Sequence, residues 1–122
     1  MTEIAHLGEK STLEFFVAKN GDVLARDWLN AQGTVTQQKF LTLFKRLGEY
    51  GTLKNERKFM HLTGTDDIFE FKDDQGRILC FFFKGRRVIL TNAVTKKGAK
   101  TPTGEIERAE RLKQEFQGRE KS

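Results

Sequence analysis

The sequence contains only one cysteine in its 122 residues, Cys80, and only two histidines, His6 and His61. A single cysteine excludes an internal disulfide and any cysteine-rich metal site. Cys80 lies in the apolar run RILCFFF, which indicates a buried, unreactive thiol rather than a nucleophile. The two histidines are too far apart to match metal-ligand spacing. We therefore expect neither a metal site nor a cofactor.

The sequence also lacks a long apolar run. No segment approaches the roughly 20 apolar residues of a membrane-spanning helix, and the first ten residues, MTEIAHLGEK, contain no signal-peptide core. A cytoplasmic protein that does not contact a membrane is expected. With 37% hydrophobic and 32% charged residues, the composition is that of a globular protein. The length predicts one domain over residues 1–122, with loose ends at residues 1–10 and about 118–122.

Positive charge is present in excess, and it is concentrated in one part of the chain. The net charge is +5, whereas residues 72–100 alone carry eight Lys and Arg against two Asp, a net charge of +6. Clustered positive charge is typical of proteins that bind a phosphate backbone. The alternative is that these residues only solvate the face of a sheet, and a basic composition by itself slightly favours that interpretation.

The N-terminal half predicts one strand and two helices. Residues 12–17, TLEFFV, are rich in strand-forming residues. Asp22 is a candidate N-cap for a first helix that ends near Gly33. Thr34 and Gln37 match a capping box for a second helix, and Gly51 follows its end. Two successive helices of this kind are typical of a helical hairpin.

The C-terminal half changes to strand patterns and returns to a helix. Residues 68–72, 77–83 and 87–94 are predicted strands, and residues 58–62 form a possible short strand before them. Thr101 is a candidate N-cap for the last helix, with Pro102 in its first turn. The order β-α-α-β-β-β-α predicts an α+β fold, in which an antiparallel sheet packs against an N-terminal helical hairpin and a C-terminal helix.

This order brings cationic side chains together. Lys72 ends one strand and Arg77 begins its hairpin partner, so the two are expected to be neighbours, and Lys96 and Lys97 follow the next strand. Several cations around a phosphodiester would stabilise the charge of its transition state. RNA carries its own nucleophile, the 2′-OH, and needs no metal for cleavage. Taken singly, each lysine is more simply interpreted as solvated.

Other candidate residues rank below the lysines. Glu70 lies between aromatic residues on a predicted strand and is the best placed of the carboxylates to act as a base. The phenylalanines of residues 69–83 are candidates for stacking on bases, although phenylalanines in strands are more often core residues. His61 has no serine or cysteine partner nearby that would indicate a nucleophilic triad.

Residues 62–112, LTGTDDIFEFKDDQGRILCFFFKGRRVILTNAVTKKGAKTPTGEIERAERL, resemble the RelE/ParE toxin superfamily, specifically its HigB-type, phage-derived-protein-like branch. The shared features are the pattern of residues 62–72, the Gly76-Arg77 pair, the apolar strand at residues 88–90, and the signature KKxxKTPxxEIxxA at residues 96–109. The similarity covers most of residues 12–116. The last signature is its most specific part.

This resemblance implies a RelE-like fold and the toxin of a type II toxin–antitoxin system. Such a toxin is a ribosome-dependent, metal-independent mRNA endonuclease that inhibits translation. Its implied partners are mRNA, the ribosome and a cognate antitoxin, often of the helix-turn-helix type. By position, Arg77 matches an arginine that contacts the scissile phosphate, and Lys72, Lys96 and Lys97 match basic positions of the branch. Lys72 stands where arginine is common and Asn92 where histidine is frequent, so the general acid and base are not identified.

We therefore predict two groups of site residues. The predicted catalytic residues are Arg77, Lys96, Lys97 and Lys72, and the predicted nucleic-acid-binding residues are Lys100, Arg86, Arg87, Lys84 and Asn92. Three alternatives stay open: a non-catalytic, phage-related module that binds nucleic acid, a ParE-like gyrase inhibitor, and a scaffold protein.

Overall fold

The computed structural model describes residues 1–120, which form six strands and three helices. In chain order these are β1 (Thr2–Leu7), β2 (Thr12–Phe16), α1 (Leu24–Asn30), α2 (Thr34–Tyr50), β3 (Phe59–His61), β4 (Phe69–Asp73), β5 (Gly76–Phe83), β6 (Arg87–Thr95) and α3 (Thr103–Glu120). The α+β class is confirmed, and the arrangement is consistent with a RelE-like fold. No helix within residues 1–120 is long and apolar enough to cross a membrane.

The strands form a single sheet in the order β1-β2-β6-β5-β4-β3. β2 and β6 pair in parallel, with Leu13 beside Val88, and every other neighbouring pair is antiparallel. The predicted antiparallel pairing is therefore confirmed for four of the five neighbouring pairs and is wrong for β2 with β6. β2 and β6 are far apart in the chain, and the long connection between them allows a parallel pairing. The sequence did not predict this pairing because the alternation of residues along a strand does not specify the direction of the neighbouring strand.

The sheet is covered on both faces. Ile78 and Cys80 pack with α1 and α2 on one face, here called the hairpin face. Leu79 and Phe81 pack with Ala109 and Phe116 of α3 on the other, here called the α3 face. The near-continuous apolar run in β5 is explained by this burial on both faces, as its sequence predicted.

The N-terminal segment and residues 118–120 are more ordered than expected. β1 pairs with β2, and Ala5 packs against the hairpin-face core, so the prediction of a loose N-terminus is wrong. The signal in β1 is weak because Ile4 and Leu7 stay exposed on this edge strand. Helix α3 continues to Glu120, which contradicts looseness at residues 118–120, and residues 121 and 122 lie outside the described part of the chain.

The predicted N-caps of the first two helices are also wrong. Neither helix has a side-chain cap, and their N-cap residues are Val23 and Gly33. Asp22 instead pairs with Asn20 in a local turn, and Gln37 donates hydrogen bonds to carbonyls that precede α2. The end of α2 is confirmed, because Gly51 adopts a left-handed conformation there with φ 77°.

Candidate nucleic-acid interface

Lys72 and Arg77 are direct neighbours in the β4–β5 hairpin, as predicted. Both side chains lie on the α3 face, since Arg77 is two residues from Leu79, which packs under α3. The Lys72 ammonium donates a hydrogen bond to the sulfur of Met60 on β3, at 3.1 Å. A thioether is a weak acceptor, so this ammonium group is held without being neutralised.

Arg77 also has a structural contact. It is 9% exposed, and its Nη1 donates to the carbonyl oxygens of Asp74 and Gly76, each at 2.7 Å. These bonds stabilise the β4–β5 turn, in which Asp74 has a positive φ of 51°. Nε and Nη2 are the remaining donors of the guanidinium group. Arg77 can therefore support the turn and offer donors to an anion at the same time.

The loop of residues 96–101, here called the lysine loop, joins β6 to the start of α3. At its beginning, the Lys96 amide donates to the carbonyl oxygen of Gln75 at 2.9 Å, and the Lys96 ammonium donates to the carbonyl oxygen of Gly98 at 2.7 Å. At its end, the Thr101 hydroxyl donates to Oε1 of Glu70 at 2.5 Å. The loop therefore begins beside the β4–β5 turn and ends beside β4, and it lies on the α3 face between these two contacts. The structure brings Lys96 to the same end of the sheet as Lys72 and Arg77, which we call the cationic end.

Thr101 does not cap the last helix, contrary to the prediction. α3 begins at Thr103, and the carbonyl oxygen of Pro102 accepts hydrogen bonds from the amides of Glu105 and Ile106, at 3.0 and 3.3 Å. The Thr101 hydroxyl is used by Glu70 instead. The sequence shows a polar residue before a helix, but it does not show a buried acceptor 31 positions earlier in the chain.

Two other cations of the lysine loop face solvent. Lys97 and Lys100 are exposed, and neither forms an ion pair or hydrogen bond with another group in residues 1–120. Exposed, unpaired ammonium groups beside Lys72 and Arg77 give this end of the sheet a positive potential. The cationic end therefore contains five of the predicted site residues, from three segments of the chain.

Asn92 is not presented to a ligand. It is 1% exposed, its Nδ2 donates to the carbonyl and the carboxylate oxygens of Glu105, both at 3.0 Å, and its Oδ1 accepts from Thr91. These contacts attach the first turn of α3 to β6. The structure therefore assigns Asn92 to the packing of the helix rather than to the exposed part of the site.

Lys84, Arg86 and Arg87 lie at the opposite end of the sheet. The nine residues of β6 separate Arg87 from the lysine loop by about 25 Å. Lys84 and Arg86 are exposed there in the β5–β6 turn. The positively charged segment of residues 72–100, here called the basic block, is thus divided between two ends of the molecule.

Arg87 is engaged in an ion pair. It binds the buried carboxylate of Glu14, with Nε to Oε2 at 2.7 Å, and its guanidinium lies over the rings of Phe83 and Phe116. Its hydrogen bond to Glu14 raises the pKa of Arg87. Through these contacts Arg87, the first residue of β6, binds both β2 and α3.

Sequence reasoning missed one cationic neighbour of the site. Residues 54–71 together carry three Lys and Arg against four Asp and Glu, a net charge of −1, yet the amide of Lys72 donates to the carbonyl oxygen of Lys58 at 2.7 Å. The Lys58 ammonium pairs with Asp73 at 2.9 Å, while Arg57 is exposed at the same edge. Only strand pairing brings these residues to Lys72.

Most of the phenylalanines and Cys80 are core residues, as the simpler interpretation predicted. Phe71 and Phe81 are fully buried core residues, whereas Phe82 is 43% exposed. Cys80 is buried, and this burial raises the pKa of its thiol, which keeps it unreactive. His61 Nε2 lies 3.3 Å from Oδ1 of Asp67, and His6 Nε2 lies 2.9 Å from Oε2 of Glu49. Residues 1–120 contain no group of three or more His, Cys, Asp or Glu side chains placed to hold a metal ion.

Comparison with known proteins gives one result that identifies a family. No curated protein matches the chain. Residues 27–114 match the family described as Phage derived protein Gp49-like (DUF891). The matched segment covers more than half of the chain and includes Lys72, Arg77 and the whole lysine loop. The chain therefore belongs to the Gp49-like family of phage-derived proteins.

Proposed function

We propose that this protein is the toxin of a type II toxin–antitoxin system and that it cleaves mRNA on the ribosome without a metal. Membership of the Gp49-like family is compatible with a toxin. The observation that carries the proposal is the cationic end, where Lys72, Arg77 and the lysine loop converge from three segments. A cluster of this kind matches the charge of an RNA phosphate in its transition state.

The proposed reaction uses the 2′-OH of the RNA. Its oxygen attacks the adjacent phosphorus and loses its proton to a base, the P–O5′ bond breaks, and O5′ takes up a proton. The products are a 2′,3′-cyclic phosphate and a 5′-hydroxyl, so atoms and charge balance. In this scheme Arg77 and Lys72 hold the non-bridging oxygens, and the exposed lysines of the loop stabilise the developing negative charge.

The proposed partners follow from the resemblance and from the charge of the site. The substrate is mRNA in the ribosome, and the inhibitor is a cognate antitoxin, of the helix-turn-helix type. An antitoxin that covers the cationic end would block access of the phosphate. The support for it is the exposure of Lys97 and Lys100, which stay unpaired within residues 1–120.

Induced expression in a bacterial host, with primer-extension mapping of mRNA ends, tests this proposal. We expect cuts in translated mRNA at positions in phase with codons. Lys97→Ala should reduce cleavage by about tenfold to a hundredfold, since removing one donor from a charge-stabilising site typically has this effect or a larger one. Lys84→Ala, an exposed lysine at the opposite end, is the matched control and should cleave normally.

A second candidate is a non-catalytic module that binds nucleic acid. The observation that favours it is the burial of Asn92, which stands where related toxins often have a histidine. Purified protein that binds RNA but leaves translated mRNA intact would support this module. Growth arrest with DNA damage and uncut mRNA would instead indicate a gyrase inhibitor.

A further inference from the structure

The proposed reaction assigns no role to Glu70, a buried carboxylate at the cationic end. Glu70 is 4% exposed, lies on β4 two residues before Lys72, and stands opposite Leu79 of β5. Its Oε1 accepts the 2.5 Å hydrogen bond from the Thr101 hydroxyl. A buried carboxylate is unfavourable unless it is hydrogen-bonded, so this contact stabilises both Glu70 and the end of the lysine loop.

The contact is the link between the lysine loop and β4. At its start, the loop is held by the hydrogen bond from the Lys96 amide to the carbonyl oxygen of Gln75. After the loop, α3 is held by the hydrogen bond from the Asn92 side-chain amide to the carbonyl oxygen of Glu105. Within residues 1–120, no other hydrogen bond or ion pair joins residues 96–101 to β4. Without the contact, the loop would be fixed at β6 but free to move away from Lys72.

We propose that Glu70 is a positioning residue, which acts through Thr101 to hold the lysine loop over Lys72 and Arg77. This inference rests on the proposed function, since the loop needs a fixed place only if its ammonium groups must meet a phosphate. The negative charge of Glu70 also lies next to the part of the loop that carries Lys100.

A role as general base is the competing assignment for Glu70, and Glu70→Gln separates the two. Glutamine keeps an acceptor oxygen for the Thr101 hydroxyl, but it cannot take up a proton. A positioning residue predicts that this variant cleaves RNA within about threefold of the wild type. A general base predicts a loss of about a hundredfold or more.

Thr101→Val tests the contact from the other side, because valine has nearly the same shape without the hydroxyl. Amide hydrogen exchange in the full-length protein is expected to quicken by about tenfold at Glu105 and Ile106, whose amides donate to the carbonyl oxygen of Pro102, directly after Thr101. Affinity for a short single-stranded RNA should weaken by a similar factor. Thr101→Ser, which keeps the hydroxyl, should restore both properties.

Thr103→Val is the matched control, since Thr103 is exposed at the first position of α3. It should leave exchange and RNA affinity unchanged. If Thr101→Val fails to fold, the double variant Glu70→Gln/Thr101→Val replaces the unpaired carboxylate with a neutral amide and still lacks the contact.

The outcomes separate this inference from the proposed function. Unchanged exchange in Thr101→Val overturns the positioning role, and so does loss of cleavage in Glu70→Gln with normal exchange. Faster exchange in Thr101→Val, combined with a wild-type protein that neither binds nor cuts RNA, overturns the function while the contact stands. Faster exchange with weaker RNA binding, rescued by Thr101→Ser, supports the inference.

Discussion

Glu14 shows how a single residue changes the interpretation of charge in this protein. It is 5% exposed and accepts hydrogen bonds from Thr2 and from two nitrogens of Arg87. In the sequence, Arg87 belongs to the basic block and was predicted to bind nucleic acid. In the fold, the Arg87 guanidinium neutralises the Glu14 carboxylate. Charge in a sequence therefore predicts an interface only after the partners of each group are known.

Glu14 also makes stability depend on pH. Burial alone would raise the pKa of Glu14, but the hydrogen bonds from Arg87 and Thr2 outweigh it and lower the pKa below its usual value of 4.5. A depressed pKa contributes stability above about pH 4.5, and this contribution is lost as the pH falls through the pKa of the folded state. We expect Glu14→Gln to lower the free energy of unfolding by about 1–3 kcal/mol at pH 7, and by less at pH 3.5.

Urea denaturation of the wild type and the variant at the two pH values measures this difference. Glu9→Gln, at an exposed carboxylate, is the control and should behave like the wild type. An equal loss of stability at pH 7 and pH 3.5 would show that the ionised form of Glu14 is not what stabilises the fold.

At the scale of elements, the turn between β1 and β2 packs directly against α2. A Cβ atom at Gly8 would lie 2.4 Å from the carbonyl carbon and oxygen of Gly48. The same Gly48 oxygen accepts hydrogen bonds from the amides of Lys10 and Ser11, at 2.8 and 2.9 Å. Gly48 lies inside α2 and provides the site at which the turn is attached to the helix.

Gly8→Ala is expected to destabilise the protein by about 3 kcal/mol, since the added methyl group meets backbone rather than a flexible side chain. Gly98→Ala is the control, because nothing lies within 4 Å of a Cβ atom there and its φ is not positive. It should change stability by less than about 0.5 kcal/mol. Thermal unfolding followed by circular dichroism compares the two, and similar melting temperatures would contradict the close contact.

Periodicity predicted the elements that bury one clear apolar face. In α2, Phe40, Leu43, Phe44 and Leu47 recur at helical spacing, and all four are buried. Periodicity missed β1 because Ile4 and Leu7 are exposed. The starts of the first and last helices were predicted from candidate N-caps, and these were wrong because Asp22 and Thr101 bond to other partners. Caps and edge strands depend on contacts that local sequence does not specify.

At the scale of the whole molecule, the basic block follows a path that visits both ends of the sheet. Lys72 and Arg77 start at the cationic end, β5 carries the chain to Lys84 and Arg86, and β6 returns it to Lys96. The hairpin spacing was enough to predict the Lys72–Arg77 pair. The length of β5 places Lys84 at the opposite end of the sheet. The hydrogen bond from Thr101 to Glu70 joins two segments whose proximity no local sequence pattern predicts.

Salt dependence of RNA binding distinguishes the two ends. Each phosphate contact with single-stranded RNA contributes about −0.7 to the slope of log K against log salt concentration. We expect Lys97→Ala and Lys100→Ala each to reduce the steepness of this slope by about 0.7. Lys84→Ala should leave the slope unchanged, and an equal reduction in this variant would mean that RNA binds without preference for the cationic end. Fluorescence anisotropy with a short labelled RNA at several salt concentrations provides the slopes.

The parallel pairing of β2 with β6 has a consequence for the order of folding. The β1–β2 hairpin is synthesised first, but its inner edge has no partner until β6 is made, and Glu14 and Arg87 are 73 positions apart. Contacts between such distant segments form late and slow the folding of a chain. The two halves of the sheet are therefore joined only after β6, Arg87–Thr95, has been synthesised. A nascent or truncated chain that ends before β6 would have neither a closed sheet nor a lysine loop, so the cationic end would not be assembled.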